Sequence, residues 1–248
     1  MELAGEKWRE QVFAEGGDIY CASASRMFHV PVEKHGVNGE LRQKGKIAEL
    51  ALGYGGGVGA LKSMGAPELG VPEEELQPLV DAWREANPKI VRFWWAVDRA
   101  AKQAIRERMT AVVGKLSFEY RGRMLRVAPP SGRELSYVKA RLETGVYGNE
   151  AIVYQGTGPD KKWDRVETYG PKLVENITQA VSRDLLAEAM RRLWQYGIVG
   201  HVHDEVIIEA DEGVTVGEIC EEMSRPAEWL PGLKLRAEGY ECQTYRRE

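Results

Sequence analysis

Apolar and polar positions divide this chain into a helical first part and a mixed second part. From Met1 to about Ile105 the segments read as helices separated by short breaks. Pro72 followed by Glu73, Glu74 and Glu75 reads as a helix start, with proline in the first turn and acids near the positive end of the dipole. Asn87-Pro88 opens the next helix, with Ile90, Val91, Phe93, Trp94, Val97, Ala101 and Ile105 on its buried side. After Met109 the pattern changes. Ala111 to Tyr120 and Met124 to Val127 are β-rich and joined at Arg121-Gly122, which predicts a hairpin. Leu173 to Tyr196 is again a long amphipathic helix, with Leu185, Leu186, Ala189, Met190 and Leu193 on its apolar face. Two strand-like runs follow, Ile198 to Val202 and Val206 to Glu209, with His203-Asp204-Glu205 between them. Helices first and a mixed half afterwards predict an α+β fold.

The most informative local pattern is Arg42, Lys46, Leu50 and Tyr54, which recur every four positions ahead of Gly55-Gly56-Gly57. On a helix they form one slowly drifting stripe about 18 Å long, from twelve steps of 1.5 Å. Two cations at i and i+4 repel each other, and an anion lying along the face reverses the sign. A triphosphate suits an arginine that binds bidentately and a lysine that acts as a point charge. Leu50 and Tyr54 then lie beside the sugar and base. Gly45, Gly53 and the glycine run lower helix propensity, which marks a helix built to move or to be approached closely.

Composition changes this picture little and charge changes it more. A chain of 248 residues with 43% hydrophobic content buries a substantial core. Its net charge of −4 argues mildly against a protein that coats nucleic acid. That average hides a basic stretch from Arg84 to Arg126, where Arg and Lys far outnumber Glu85, Asp98, Glu107 and Glu119. Acids predominate after Asp204. Cys21, Cys220 and Cys242 are scattered and form no CxxC pair, so reduced thiols and a cytoplasmic setting are expected, with no zinc site. No apolar run reaches the length of a membrane span, and the N-terminus does not read as a signal peptide.

Two further constellations carry chemistry. Carboxylates at a strand turn, as in His203-Asp204-Glu205, bind hard divalent cations such as Mg²⁺ together with substrate phosphates. His201, His203 and Asp204 also admit a rival reading as a transition-metal hydrolase. Asn176 and Gln179 share a helix face just ahead of that hairpin, suited to hydrogen-bonding base or sugar edges.

Arg-x3-Lys-x7-Tyr-Gly, then Asn and Gln on a later helix, then His-Asp-Glu between apolar strands, resembles the family A DNA polymerases of the DNA polymerase I type, phage-like members above all. Gly17 to Arg26, Tyr169 to Gln179 and the ending Gly239 to Arg247 are also similar to such enzymes. The resemblance implies a fingers subdomain over residues 1–165, including a β-hairpin region near 111–127, and the C-terminal half of a palm over 166–248. It implies DNA-templated synthesis from dNTP on primer-template DNA. Arg42, Lys46, Leu50, Tyr54 and Tyr20 would hold the nucleotide, and Asn176, Gln179, His203, Lys172 and Gly55 would touch DNA. Asp204, Lys46 and Glu205 would be catalytic, with Asp204 a ligand in a two-ion Mg²⁺ site.

Leu50 stands where the family commonly has Phe or Tyr, and Tyr20 where many members have His. The family's first catalytic Asp, in a D-[FY]-S-x-x-E motif, belongs just upstream of Leu3-Ala-Gly-Glu6 and has no counterpart here. The expectation is therefore a fragment or subunit that needs a second polypeptide bearing that Asp and the thumb. The alternative is a catalytically silent module that binds nucleotide or primer-template.

Overall fold

A computed structural model describes residues 1–68, 70–158 and 160–245. Leu69, Pro159 and residues 246–248 lie outside the described residues. The first part is helical as expected: α1 (Lys7–Ala14), α2 (Ile19–Phe28), α3 (Leu41–Leu52), α4 (Val58–Ser63), α5 (Glu73–Ala86) and α6 (Pro88–Glu107). Pro72 is the N-cap of α5 rather than part of its first turn, and Glu73, Glu74 and Glu75 occupy that turn. On α6, Trp94, Val97, Ala101 and Ile105 are buried, whereas Ile90, Val91 and Phe93 are half-buried.

A six-stranded sheet follows in simple sequence order: β1 (Ala111–Val113), β2 (Leu116–Arg121), β3 (Met124–Ala128), β4 (Leu135–Thr144), β5 (Glu150–Thr157) and β6 (Trp163–Thr168). The expected hairpin is thus half of a larger meander. Its first run is split in two at Gly114, whose φ of 57° glycine reaches without strain. The hairpin connection itself is Gly122-Arg123, one residue later than expected. Strands β4 to β6 had no clear sequence signal. Their pairing is antiparallel and broken by an irregularity between Val138 and Arg141, where Lys139 takes a φ of 52°.

The long helix α7 runs Gly170–Leu193 and ends in a 3-10 turn, Trp194–Tyr196. A two-stranded hairpin, β7 (Ile198–Val202) with β8 (Glu205–Ile208), and α8 (Val216–Met223) complete the described elements. The chain divides into two compact units, one of Met1–Val127 with Ser136–Glu175, the other of Ala128–Leu135 with Asn176–Glu248.

In the first unit the core centres on Trp83 and Trp94, whose rings stack at 5.8 Å. Leu52, Leu61 and Leu76 are fully buried with them in that unit. The Glu49 carboxylate joins the helices from within. It accepts hydrogen bonds from Ser23 Oγ at 2.7 Å, Trp83 Nε1 at 3.0 Å and the Arg9 guanidinium. Arg9 also donates to Asn87 Oδ1 at 3.2 Å. A half-buried carboxylate with three donors stabilises the packing; the same group without them would oppose it. In the second unit Asp184 accepts from Ser131 Oγ and from Arg133 Nε at 2.6 Å, which ties the 128–135 segment to α7.

Candidate functional site

Helix α3 has two different faces. Gly45, Ile47, Ala48 and Leu52 are buried, and Gly45 lies against α2 so closely that a Cβ there would sit 2.3 Å from the Tyr20 carbonyl oxygen. Of the two uses expected for its glycines, Gly45 serves close approach. The other face carries Arg42, Lys46 and Leu50, the last 53% exposed. Among the described residues, Lys46 makes no hydrogen bond or ion pair.

Tyr54 is not on this helix. The regular ladder stops at Leu52, and Gly55 turns the chain with a φ of 81°, because a glycine-rich run cannot sustain helix. The helical stripe from Arg42 to Leu50 is therefore about 12 Å long rather than 18 Å. Tyr54 stands exposed in the turn beyond it.

Arg42 is already partnered within the first unit. Its Nε donates to Asp18 Oδ2 at 2.8 Å, and its guanidinium lies over the Tyr20 ring at 5.2 Å. Asp18 is also the N-cap of α2, accepting from the amides of Tyr20 and Cys21 at 2.9 and 3.1 Å. Burial alone raises the Asp18 pKa, but the Arg42 hydrogen bond and the two amides outweigh it and hold the carboxyl below the usual carboxylate value. The same bond raises the Arg42 pKa. Tyr20, expected at the nucleotide, is thus the floor under the Arg42 guanidinium, and Asp18 is the anion that sequence reading left out.

Gly55 packs against the start of α7, where a Cβ would meet the Pro171 ring at 2.5 Å. Its lack of a side chain is explained by that contact. Gly170, one residue earlier, donates its amide to Asp98 Oδ1 at 2.9 Å, and Asp98 pairs with Lys102 at 2.7 Å. Lys172 is exposed and pairs with Glu175 at 2.8 Å.

In the second unit Asn176 is half-buried and Gln179 exposed, three residues apart on α7. The β7–β8 hairpin turns through two residues, His203 and Asp204, since Val202 pairs with Glu205. Two-residue hairpins need a positive φ, and His203 supplies it at 52°. Asp204 is exposed, with no hydrogen bond or ion pair among the described residues. Glu205, expected in the turn, begins β8, and its Oε2 accepts from the Tyr245 hydroxyl at 3.0 Å. Among the described residues no group of three or more His, Cys, Asp and Glu gathers to hold a metal, so His201, His203 and Asp204 do not form a preassembled hydrolase triad. Nor is any described helix long and apolar enough to cross a membrane.

No protein-family model matches the chain. Over 251 residues, 99% of its length, it is 48% identical to the DNA polymerase of Bacillus phage SP02, of which the match spans 39%. Over 92 residues, 37% of the chain and 10% of the relative, it is 35% identical to the thermostable DNA polymerase I of Thermus aquaticus. The polymerase domain of Pol1 from M. smegmatis, solved in complex with DNA primer-template and dNTP, shares its fold with a TM-score of 0.54 and 19% identity, over 95% of this chain and 35% of that one. The motifs on α3, on α7 and in the β7–β8 hairpin thus occur in a chain that is similar along 99% of its length to part of a phage DNA polymerase, of which it spans 39%.

Proposed function

We propose that this chain grips the incoming dNTP and supplies one metal-binding carboxylate in templated DNA synthesis on a primer-template. The observation that carries the reading is the face of α3, where Arg42, an unpartnered Lys46 and an exposed Leu50 follow one another along about 12 Å. Residues 1–165 act as fingers and 166–248 as the C-terminal half of the palm. Lys46 binds triphosphate oxygens and hands a proton to the leaving pyrophosphate. Arg42 joins it by exchanging Asp18 for phosphate. Tyr20 supports the guanidinium, Leu50 lines the sugar, and Tyr54 stacks at the nascent pair. Asn176 and Gln179 follow minor-groove edges, with Lys172 and Gly55 beside the strand. His203 holds the primer terminus.

An exposed carboxylate without a protein partner suits Mg²⁺, which takes one or two carboxylates and completes its shell with water and substrate phosphate. Asp204 would hold it, with Glu205 and its Tyr245 partner beside the site. Such an ion brings charge stabilisation at the attacking and leaving oxygens. A two-ion site needs a second carboxylate, and we assign that group to a part of the polymerase outside these 248 residues.

Primer extension tests the reading. The chain is combined with a polypeptide carrying the remaining length of a related polymerase, and wild type is compared with Asp204→Asn. Synthesis should fall at least about 100-fold in the variant, the scale on which loss of one preorganised electrostatic partner acts, while dNTP binding persists. Unchanged synthesis overturns the role of Asp204. dNTP binding with no extension in any combination would establish a silent binding module instead.

A further inference from the structure

The basic stretch after Arg84 becomes a defined surface once α6 is built. At 100° per residue, Arg92, Trp95, Arg99, Gln103 and Arg106 fall within an arc of about 80°, with Lys89 about 40° beyond it. All six are exposed, and Trp95 keeps 48% of its surface open to solvent. From Arg92 to Arg106 the stripe runs about 21 Å, six phosphate spacings at the roughly 3.4 Å rise of one DNA strand.

An ordinary solvated helix face carries acids one turn from its bases, each pair contributing a few tenths of a kcal/mol. In the middle of this one the acid has been withdrawn. Asp98 is buried against Gly170 and Lys102, and Glu107 accepts from Gln103 at 2.8 Å. Arg106 has an exposed partner in Glu150 at 2.6 Å, and Arg92 reaches only the Pro88 carbonyl. Among the described residues the Arg99 guanidinium and the Lys89 ammonium have no partner. Arg99 and Lys89 without counterions among the described residues, and Arg92 held only by a carbonyl, around an open indole, describe a face that can take an anion.

We infer that the Arg92, Trp95, Arg99 and Arg106 face of α6 is a track for single-stranded DNA, the unpaired template strand. The inference rests on the polymerase reading for its biological role. Trp95 decides between single strand and duplex. An indole face binds a base only when that base is unstacked, whereas a duplex offers phosphates alone.

The test is fluorescence anisotropy with a labelled 12-nucleotide oligothymidylate and a 12-base-pair duplex, using the full chain without dNTP or Mg²⁺. Trp95→Ala should weaken oligothymidylate binding roughly five- to 150-fold, the range of one base stacked on an aromatic ring, and leave duplex binding within about twofold. In the double variant Arg92→Gln/Arg99→Gln, the slope of log affinity against log salt should shrink by about 1.4, from 0.7 per phosphate on a single strand. Far-UV circular dichroism identical to wild type confirms that these exposed substitutions leave the fold intact. Unchanged oligothymidylate binding in Trp95→Ala, or tighter binding of duplex than of single strand, overturns the inference. Asp204→Asn separates it from the polymerase reading. That variant should lose extension yet keep Trp95-dependent oligothymidylate binding; absent extension by the wild-type chain with Trp95-dependent binding refutes only the polymerase reading, and wild-type extension with Trp95-independent binding refutes only the track.

Discussion

Asp18→Asn isolates the charge that faces Arg42. Asparagine caps a helix as well as aspartate does, so the two amide hydrogen bonds to the α2 N-terminus survive and only the negative charge is lost. Two effects then weaken the fold. The ion pair, whose side chains are 25% and 26% exposed, is worth at most about 1 kcal/mol after solvent screening. The charge at the α2 N-terminus adds about 0.3–1 kcal/mol. The expected loss is about 1 kcal/mol at pH 7, read as a lower urea midpoint with an unchanged slope. The pH dependence has a fixed sign. The folded carboxyl titrates below its unfolded value of about 3.9, so the unfolded chain binds more protons between the two, and stability rises with pH across that window. The gap between wild type and variant is therefore full above about pH 4 and closes as pH falls through the lower, folded value. The nucleotide moves the other way. With Asp18 neutral, Arg42 no longer exchanges an ion pair for triphosphate, and dNTP affinity measured by calorimetry should rise about two- to fivefold. A variant as stable as wild type at pH 7, or a gap that persists unchanged at pH 3, refutes the electrostatic account. Weaker dNTP binding refutes the competition and would make Asp18 the residue that aims Arg42.

Two further substitutions test how α3 is held. Glu49→Ala removes the acceptor shared by Arg9, Ser23 and Trp83 and leaves a guanidinium only 8% exposed with Asn87 as its side-chain hydrogen-bond partner. It should cost about 3–5 kcal/mol by urea denaturation, and a loss under 1 kcal/mol would show that the network contributes little. Gly45→Ala gains up to about 1 kcal/mol of helix propensity, yet its Cβ falls on the Tyr20 carbonyl, a backbone atom that cannot rotate away. Overpacking of about 1–3 kcal/mol should win, so the melting temperature falls; a rise would mean that α2 and α3 separate at little cost.

The sequence made legible whatever depends on short range. Arg42, Lys46 and Leu50 share one face of α3 because a helix repeats every 3.6 residues. The His203-Asp204 turn was placed because two apolar runs flank it, and only Glu205 moved, from turn to strand. What was not legible depends on pairs distant in sequence. Asp18 is 24 residues from Arg42, and Asp98 is 72 from Gly170. Each looks like an ordinary surface acid until the chain brings its partner to it. Strands β4 to β6 were hidden for a different reason. An irregularity at Lys139 breaks the period of two, and β6 opens with three exposed residues, Trp163, Asp164 and Arg165.

These two kinds of information meet on α3. Reading the helix as a cationic stripe requires an external anion to offset Arg42 and Lys46, and among the described residues the fold supplies one at Arg42 only. Asp18 offsets Arg42 in the absence of ligand, so the cation without compensation is Lys46. The buried face explains how a helix can keep such a charge uncompensated. Glu49, seven residues from Arg42 and within about 20° of it around the helix, is held by three donors, and Gly45 brings the α2 backbone within contact distance. The packing that fixes α3 is made by residues that the repeat of four does not select. The residues that it does select are left free of the core, and an anion reaching Lys46 meets a side chain already held in place at its base.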